Sequence, residues 1–473
     1  MKRLRTFLLR HPELVSESTV RPGQPVAGRA ARWMLKRVQH DGARVMAAAL
    51  LALIAAPAAA QDVAIVNARL AIGDGSAPVE NGTVVIRGGR VVAAGRGVAT
   101  PAGIRTVDAQ GKWVAAGIVA GFTRMGIVEV DGVQPTNDAG AARARFNAAI
   151  DIAPAVNPRS NSIGVNRAAG VTRAVVAPST GQAIFAGQGA VIDLGTDSDP
   201  ITKARAFQFV ELGEDGARTA GGSRPAAFAE FRNALADAQD YAKGARTYGA
   251  DGHLLTKLDA AALVPVVEGR QPLLVHVERA SDIRAVIALR RDFPALRLVL
   301  VGANEAWLAA PEIAAARVPV LASALADLPS SFEQIAATQS NVGRLKAAGV
   351  TVGIGMINDD EARQARLETQ YAGNLVALTR VPGASGLDWG AAFAAITSQP
   401  AEALGMGGEI GSLRPGRRGD VVIWDGDPLE LSSAPVAVWI DGVEQPVRSR
   451  QTELRDRYSV PQEGALPKAY ERR

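Results

Sequence analysis

Short runs of alternating apolar and polar residues mark both ends of this chain's longest apolar-patterned region, and a different rhythm fills its middle. Residues 62–112 contain VAIVNARLAI, GTVVIRGGRVVAAGRG and IRTVDAQGKW, separated by Gly-Gly and Asp-Gly turns, which predicts antiparallel hairpins. Residues 411–430, GSLRPGRRGDVVIWDGDPLE, and the following VAVWIDGVEQPV repeat that pattern. Neither group covers a hydrophobic face alone, so the two are expected to pair into one small β-sandwich.

Between them, strands alternate with helices. Residues 111–126, GKWVAAGIVAGFTRMG, form an apolar run with a polar tip at Thr123 and Arg124, the signature of a buried parallel strand that delivers side chains to a pocket. GVTRAVVAP at 170–178 is a second strand, followed by a Gly-rich stretch at 181–189 that reads as a tight loop. A helical segment at 225–248 and strand-then-helix units at 271–293, 296–316, 318–328 and 345–380 complete the series. Such units imply a parallel sheet with helical crossovers, and residues 114–406 suit a (β/α)₈ barrel of about 250 residues before insertions. The expected divisions are a leader at 1–60, sandwich strands at 61–113 and 407–450 around the barrel, and a tail at 451–473.

The leader changes the reading of composition. The formal charge is +5, but residues 1–60 hold ten Lys/Arg against three acids, which leaves 42 basic and 44 acidic residues beyond them. The basic balance therefore gives no support for nucleic-acid binding. Residues 45–60, VMAAALLALIAAPAAA, have the length and small-residue ending of a signal peptide and are too short to span a bilayer. Cleavage after Ala60, export to the periplasm and no stable membrane anchor are expected. The 44 residues before this run are long for such a leader, which points to a start near Met34 or Met46. The absence of Cys fits an exported chain.

Three stretches carry a family resemblance: GSLRPGRRGDVVIWDGDP, the TSQPAEALG just before it (397–405), and VHVERASDI at 275–283. With the 111–126 strand, they resemble the amidohydrolase superfamily, nearest its imidazolonepropionase-like branch. The resemblance implies the barrel and hydrolysis of a non-peptide carbon–nitrogen bond in an amide or cyclic amide. It also implies one or two divalent metals, which activate water to attack the carbonyl or imine carbon. Several ligand positions are substituted. Phe122 and Arg124 stand where the first strand has two His, Ala120 stands at its Asp, and Gly302 matches the sixth-strand His. Met356, Ile357 and Asn358 cover the eighth-strand Thr-Asp segment, and no Lys suits the fourth strand.

His276 keeps the fifth-strand position, with Glu278 on the same face two residues on. The resemblance thus leaves at most one zinc-like ion, held by His276. His276, Glu278 and Asp359 become the candidate catalytic residues, and Arg124 and Asn358 the candidate substrate-binding ones. Arg124 is expected to fill the vacated metal position and pair with Glu278. The plainer readings are a hydrogen-bonded pocket histidine for His276 and a helix cap for residues 358–361. His253 reads as a surface loop residue. No G-x-x-x-x-G-K, G-x-S-x-G or H-E-x-x-H motif occurs. The alternative function is a non-catalytic periplasmic binding or partner subunit. The ligand in either case is a small molecule, and homo- or hetero-oligomers are expected because barrels of this family often associate.

Overall fold

The computed structural model describes residues 61–244, 248–249, 252–357 and 363–459. The expected leader at 1–60, the residues 358–361 and the last part of the tail lie outside them. Among the described residues, no helix is long and apolar enough to cross a membrane.

Five strands come first: β1 (Val63–Ala71), β2 (Val79–Arg87), β3 (Arg90–Arg96), β4 (Arg105–Asp108) and β5 (Trp113–Ala116). Eight more follow: β6 (Ile118–Thr123), β7 (Val171–Val176), β8 (Phe185–Asp193), β9 (Ile201–Glu211), β10 (Leu273–Val277), β11 (Leu298–Gly302), β12 (Val320–Ala322) and β13 (Val352–Ile354). The last three are β14 (Val421–Trp424), β15 (Pro435–Ile440) and β16 (Val443–Gln445). The strands on either side of the barrel segment, expected as a small sandwich, lie in one mixed sheet ordered β16-β15-β14-β5-β1-β2-β3, with β4 also on β1. β5 runs antiparallel to β14, Trp113 opposite Trp424.

The apolar run expected as one strand is two. Gly117 breaks it, so that β5 joins the terminal sheet and β6 joins the second sheet. The Gly117 N–H donates to the Asp420 carbonyl at 3.0 Å. A Cβ at this position would lie 2.2 Å from Thr172 Oγ1, so only glycine lets the chain turn here.

The second sheet runs β6 to β13 in order and nearly closes into a barrel. At the seam, Met356 N–H donates to the Phe122 carbonyl at 2.9 Å. β9 to β13 are mutually parallel, as are β6 and β7, but β8 is antiparallel to both its neighbours. The Gly-rich stretch expected as a loop is mostly this reversed strand. Its glycines serve packing: a Cβ on Gly189 would sit 2.0 Å from the Phe207 ring. Inward residues fill the barrel with apolar side chains, including Val119, Phe122, Phe207, Phe209, Leu274, Val299 and Leu321. Phe122 and Phe209 meet at 5.4 Å between ring centroids.

One buried cation joins the two sheets. Arg173, on β7, is fully buried and grips Asp420 with both branches of its guanidinium, Nε–Oδ2 2.7 Å and Nη2–Oδ1 2.9 Å. Asp441, at the β15–β16 turn, accepts at 2.7 Å, and Thr202 Oγ1 at 2.7 Å. Asp193, directly opposite on β8, lies 3.5 Å away. Burial works against the charge on Arg173, but the surrounding carboxylates, Asp420 first, raise its pKa above the ordinary arginine value. Burial also pushes Asp193 up to about 6, against the pull of Arg173. Breaking a buried pair leaves an uncompensated charge, so Arg173→Met is expected to cost about 3–5 kcal/mol in chemical denaturation. A loss below about 1 kcal/mol would mean that the network contributes little.

Glu368, in the helix Glu368–Ala377, is fully buried, with the Gly121 N–H as a backbone donor that favours its charged form. Burial raises its pKa well above 4.5. The folded chain therefore keeps a proton that the unfolded chain releases, and stability falls as pH climbs from about 5 toward the raised value, by about 1.4 kcal/mol per unit. Glu368→Gln should remove that slope and be the more stable form at pH 8. Parallel stability–pH curves for the two proteins would contradict this.

Candidate active site

The barrel mouth is built by strand periodicity. Along β9, Phe207, Phe209 and Glu211 alternate onto the inner face, as Leu274 and His276 do along β10. The register places His276 beside Glu211, so the last inward positions of two parallel strands are ionisable while those below are apolar. This is the C-terminal end of the strands, where barrel side chains reach a ligand.

His276 is held by two carboxylates. Its Nδ1 lies 2.5 Å from Glu211 Oε1, and its Nε2 lies 3.1 Å from Glu278 Oε1. The other Glu278 oxygen accepts the Asn304 N–H at 2.8 Å. The His276 and Glu211 side chains stay 20% and 13% exposed, enough to meet a ligand, whereas that of Glu278 is only 4% exposed. Burial alone would lower the imidazole pKa, but Glu211 and then Glu278 raise it well above 6.5. Burial raises Glu211 in turn, opposed by the charge on His276.

Gly302 makes room for this group. At φ +79°, it would place a Cβ 2.4 Å from Glu278 Oε1 and 2.9 Å from His276 Cδ2. The sixth-strand position that the resemblance assigns to a metal-binding His is thus filled by the neighbouring carboxylate and imidazole.

A second ring of charge lies behind the first. Glu333, in the loop after β12, accepts from Glu214 N–H at 2.7 Å and from Arg224 Nη2 at 2.9 Å; burial raises its pKa, and the Glu214 N–H, His276 and Arg224 oppose that rise. Arg224 also binds Asp282 at 2.9 Å. Glu305 accepts from Ala280 and Ala336 N–H at 3.1 and 2.9 Å, so it ties the β12 loop to the β10 loop.

The remaining candidates divide. Arg124 is buried at the end of β6, where its Nη1 donates to the Ala177 carbonyl at 3.2 Å and its guanidinium sits 5.8 Å from the Phe122 ring centroid. It does not pair with Glu278. β6 and β10 stand four strands apart in either direction round the eight, on opposite walls, and Glu278 takes its cation from His276. Asn358 and Asp359 lie outside the described residues. His253 lies in a loop, but it stacks on Tyr248 at 4.2 Å and its side chain is only 15% exposed, so it is not the surface residue expected.

Sequence reasoning missed Glu211 and Glu333. The Phe-x-Phe-x-Glu alternation at 207–211 was a readable signal for Glu211, while nothing in the sequence marks Glu333. Among the described residues, no group of three or more His, Asp or Glu is arranged to hold a metal ion.

The amidohydrolase family model (Amidohydro_3) matches residues 31–444. The chain belongs to the amidohydrolase family. One relative, amidohydrolase tasK of Hapsidospora irregularis, is 26% identical over 372 residues, which cover 72% of this chain and 37% of that protein. The chain thus matches well under half of that relative's length. An amidohydrolase from Thermotoga maritima MSB8 shares the fold with a TM-score of 0.71 at 24% identity, covering 82% of this chain and 100% of the other. A molinate hydrolase gives a TM-score of 0.50 at 18% identity, covering 86% and 98%. Asp420, inside the GRRGDVVIW stretch that carries the resemblance, is the residue gripped by Arg173.

Because a Cβ at 302 collides with the Glu278 carboxylate and φ is positive, Gly302→Ala should lower stability by about 1–3 kcal/mol. Thermal unfolding checks this, and a melting temperature equal to that of the parent would contradict the crowding.

Proposed function

We propose that this chain is a hydrolase of non-peptide carbon–nitrogen bonds, of the amide or cyclic amide type, with Glu211, His276 and Glu278 handling the protons. The supporting observation is the 2.5 Å contact between His276 and Glu211 at the open end of the barrel, where both remain accessible. Glu211 takes a proton from water as the water oxygen bonds to the carbonyl carbon. It returns that proton to the nitrogen as the C–N bond breaks, giving acid and amine. His276 holds Glu211 in place and balances its charge, and Glu278 fixes the ring from the other side. Such acid–base work is worth about 10²–10⁴-fold in rate.

Within the family, the GSLRPGRRGDVVIWDGDP stretch supports a place near the imidazolonepropionase-like branch. The double pairing of β1, with β4 along its first half and β5 along its second, supports a terminal sheet that folds over as a small sandwich. The apolar run at 45–60 supports export to the periplasm, and the place of His276 and Glu211 at the barrel mouth supports a small-molecule substrate. The relatives described as amidohydrolases weigh for a hydrolase and add nothing to the partner-subunit alternative.

In a panel of linear and cyclic amides assayed by amine release, Glu211→Gln and His276→Ala should each lower kcat/KM by about 10²–10⁴-fold. His253→Ala should leave it unchanged. A panel with no turnover, or full activity in Glu211→Gln, would overturn the reading.

A further inference from the structure

The geometry points to a barrel mouth that works without a metal ion, with the His276 ring clamped between Glu211 and Glu278 so that neither of its nitrogens is left for the metal that the family resemblance would place on it. The inference deepens the hydrolase reading and rests on the same residues, but its test does not require turnover.

Three observations carry it. A metal ligand needs a ring nitrogen with a free lone pair, and a neutral imidazole has one. Here both ring nitrogens face carboxylate oxygens, at 2.5 and 3.1 Å, and carboxylates only accept. Whichever partner holds the proton between Nδ1 and Glu211, that lone pair is engaged, and Nε2 donates to Glu278.

Distance gives the second. A histidine nitrogen and a carboxylate oxygen on one tetrahedral zinc ion are separated by about 3.3 Å, from bonds of about 2.0–2.2 Å. The 2.5 Å contact is a proton's span, too short to admit an ion.

The third is the missing donor. Gly302 offers no side chain, and the space its Cβ would take is occupied by Glu278 Oε1 and the imidazole edge. Arg124 is on the opposite wall. Among the described residues, the arrangement is closed on itself: His276, two flanking carboxyl groups, and a backbone N–H from Asn304 on the remaining Glu278 oxygen.

The test uses the full chain labelled with ¹⁵N-histidine. Long-range ¹H–¹⁵N spectra, with the His276 signal assigned by its loss in His276→Gln, should show His276 ring-nitrogen shifts at pH 7 that zinc chloride leaves unmoved. Calorimetric titration with zinc chloride should show no heat that His276→Gln abolishes. A His276 shift that moves with added zinc chloride, or micromolar zinc binding lost in His276→Gln, would overturn the inference. Amine release separates it from the hydrolase reading. Turnover that survives chelator supports both, and turnover that needs added zinc overturns the inference alone. An intact clamp with no turnover on any amide overturns the hydrolase reading alone.

Discussion

Arg173 is the point at which the molecule's two sheets become one structure. It is wholly enclosed, so its charge persists only because Asp420, Asp441 and Asp193 converge on it from β14's approach, the β15–β16 turn and β8. A guanidinium suits this task because its planar fork meets one carboxylate with two branches and leaves a third for other acceptors. The Asp420 main chain completes the join by accepting from Gly117, where the β5–β6 run changes sheets. The terminal sheet is therefore bonded to the barrel at the foot of strands whose other ends form the mouth.

The mouth repeats the same electrostatic arrangement on a smaller scale, with one cation among carboxylates. The difference lies in exposure. Arg173 is sealed, while His276 and Glu211 keep part of their surface open. A sealed ion pair only holds the fold, whereas an open one can exchange a proton with a bound molecule. The carboxylates of Glu333, Glu214 and Asp282 gather round Arg224 instead and leave the site open.

Much of this was legible before any coordinates. Hairpins at both ends, strand–helix units between them and the inward position of His276 and Glu278 all follow from periodicity. Other features were not. The reversed β8 looked like a loop because its glycines, which make room for Phe207, carry no strand signal. The single run at 111–126 looked like one strand because its two halves are equally apolar, although they are buried in different sheets. Arg124 and Glu278 each have the pattern of a pocket residue along their own strands, while the four-strand separation between them is a property of the sheet.

The sequence by itself determined the alternation of apolar and polar positions, and with it which residues face inward, because that property belongs to each strand alone. It also determined the family, through a contiguous stretch around Asp420. Tertiary structure decided which inward residues meet. That Glu211 meets His276, that Gly302 yields its space to Glu278, and that Arg173 rather than any surface charge joins the sheets all depend on distances between segments tens to hundreds of residues apart. Such distances are set by strand order and register, and no local pattern encodes them.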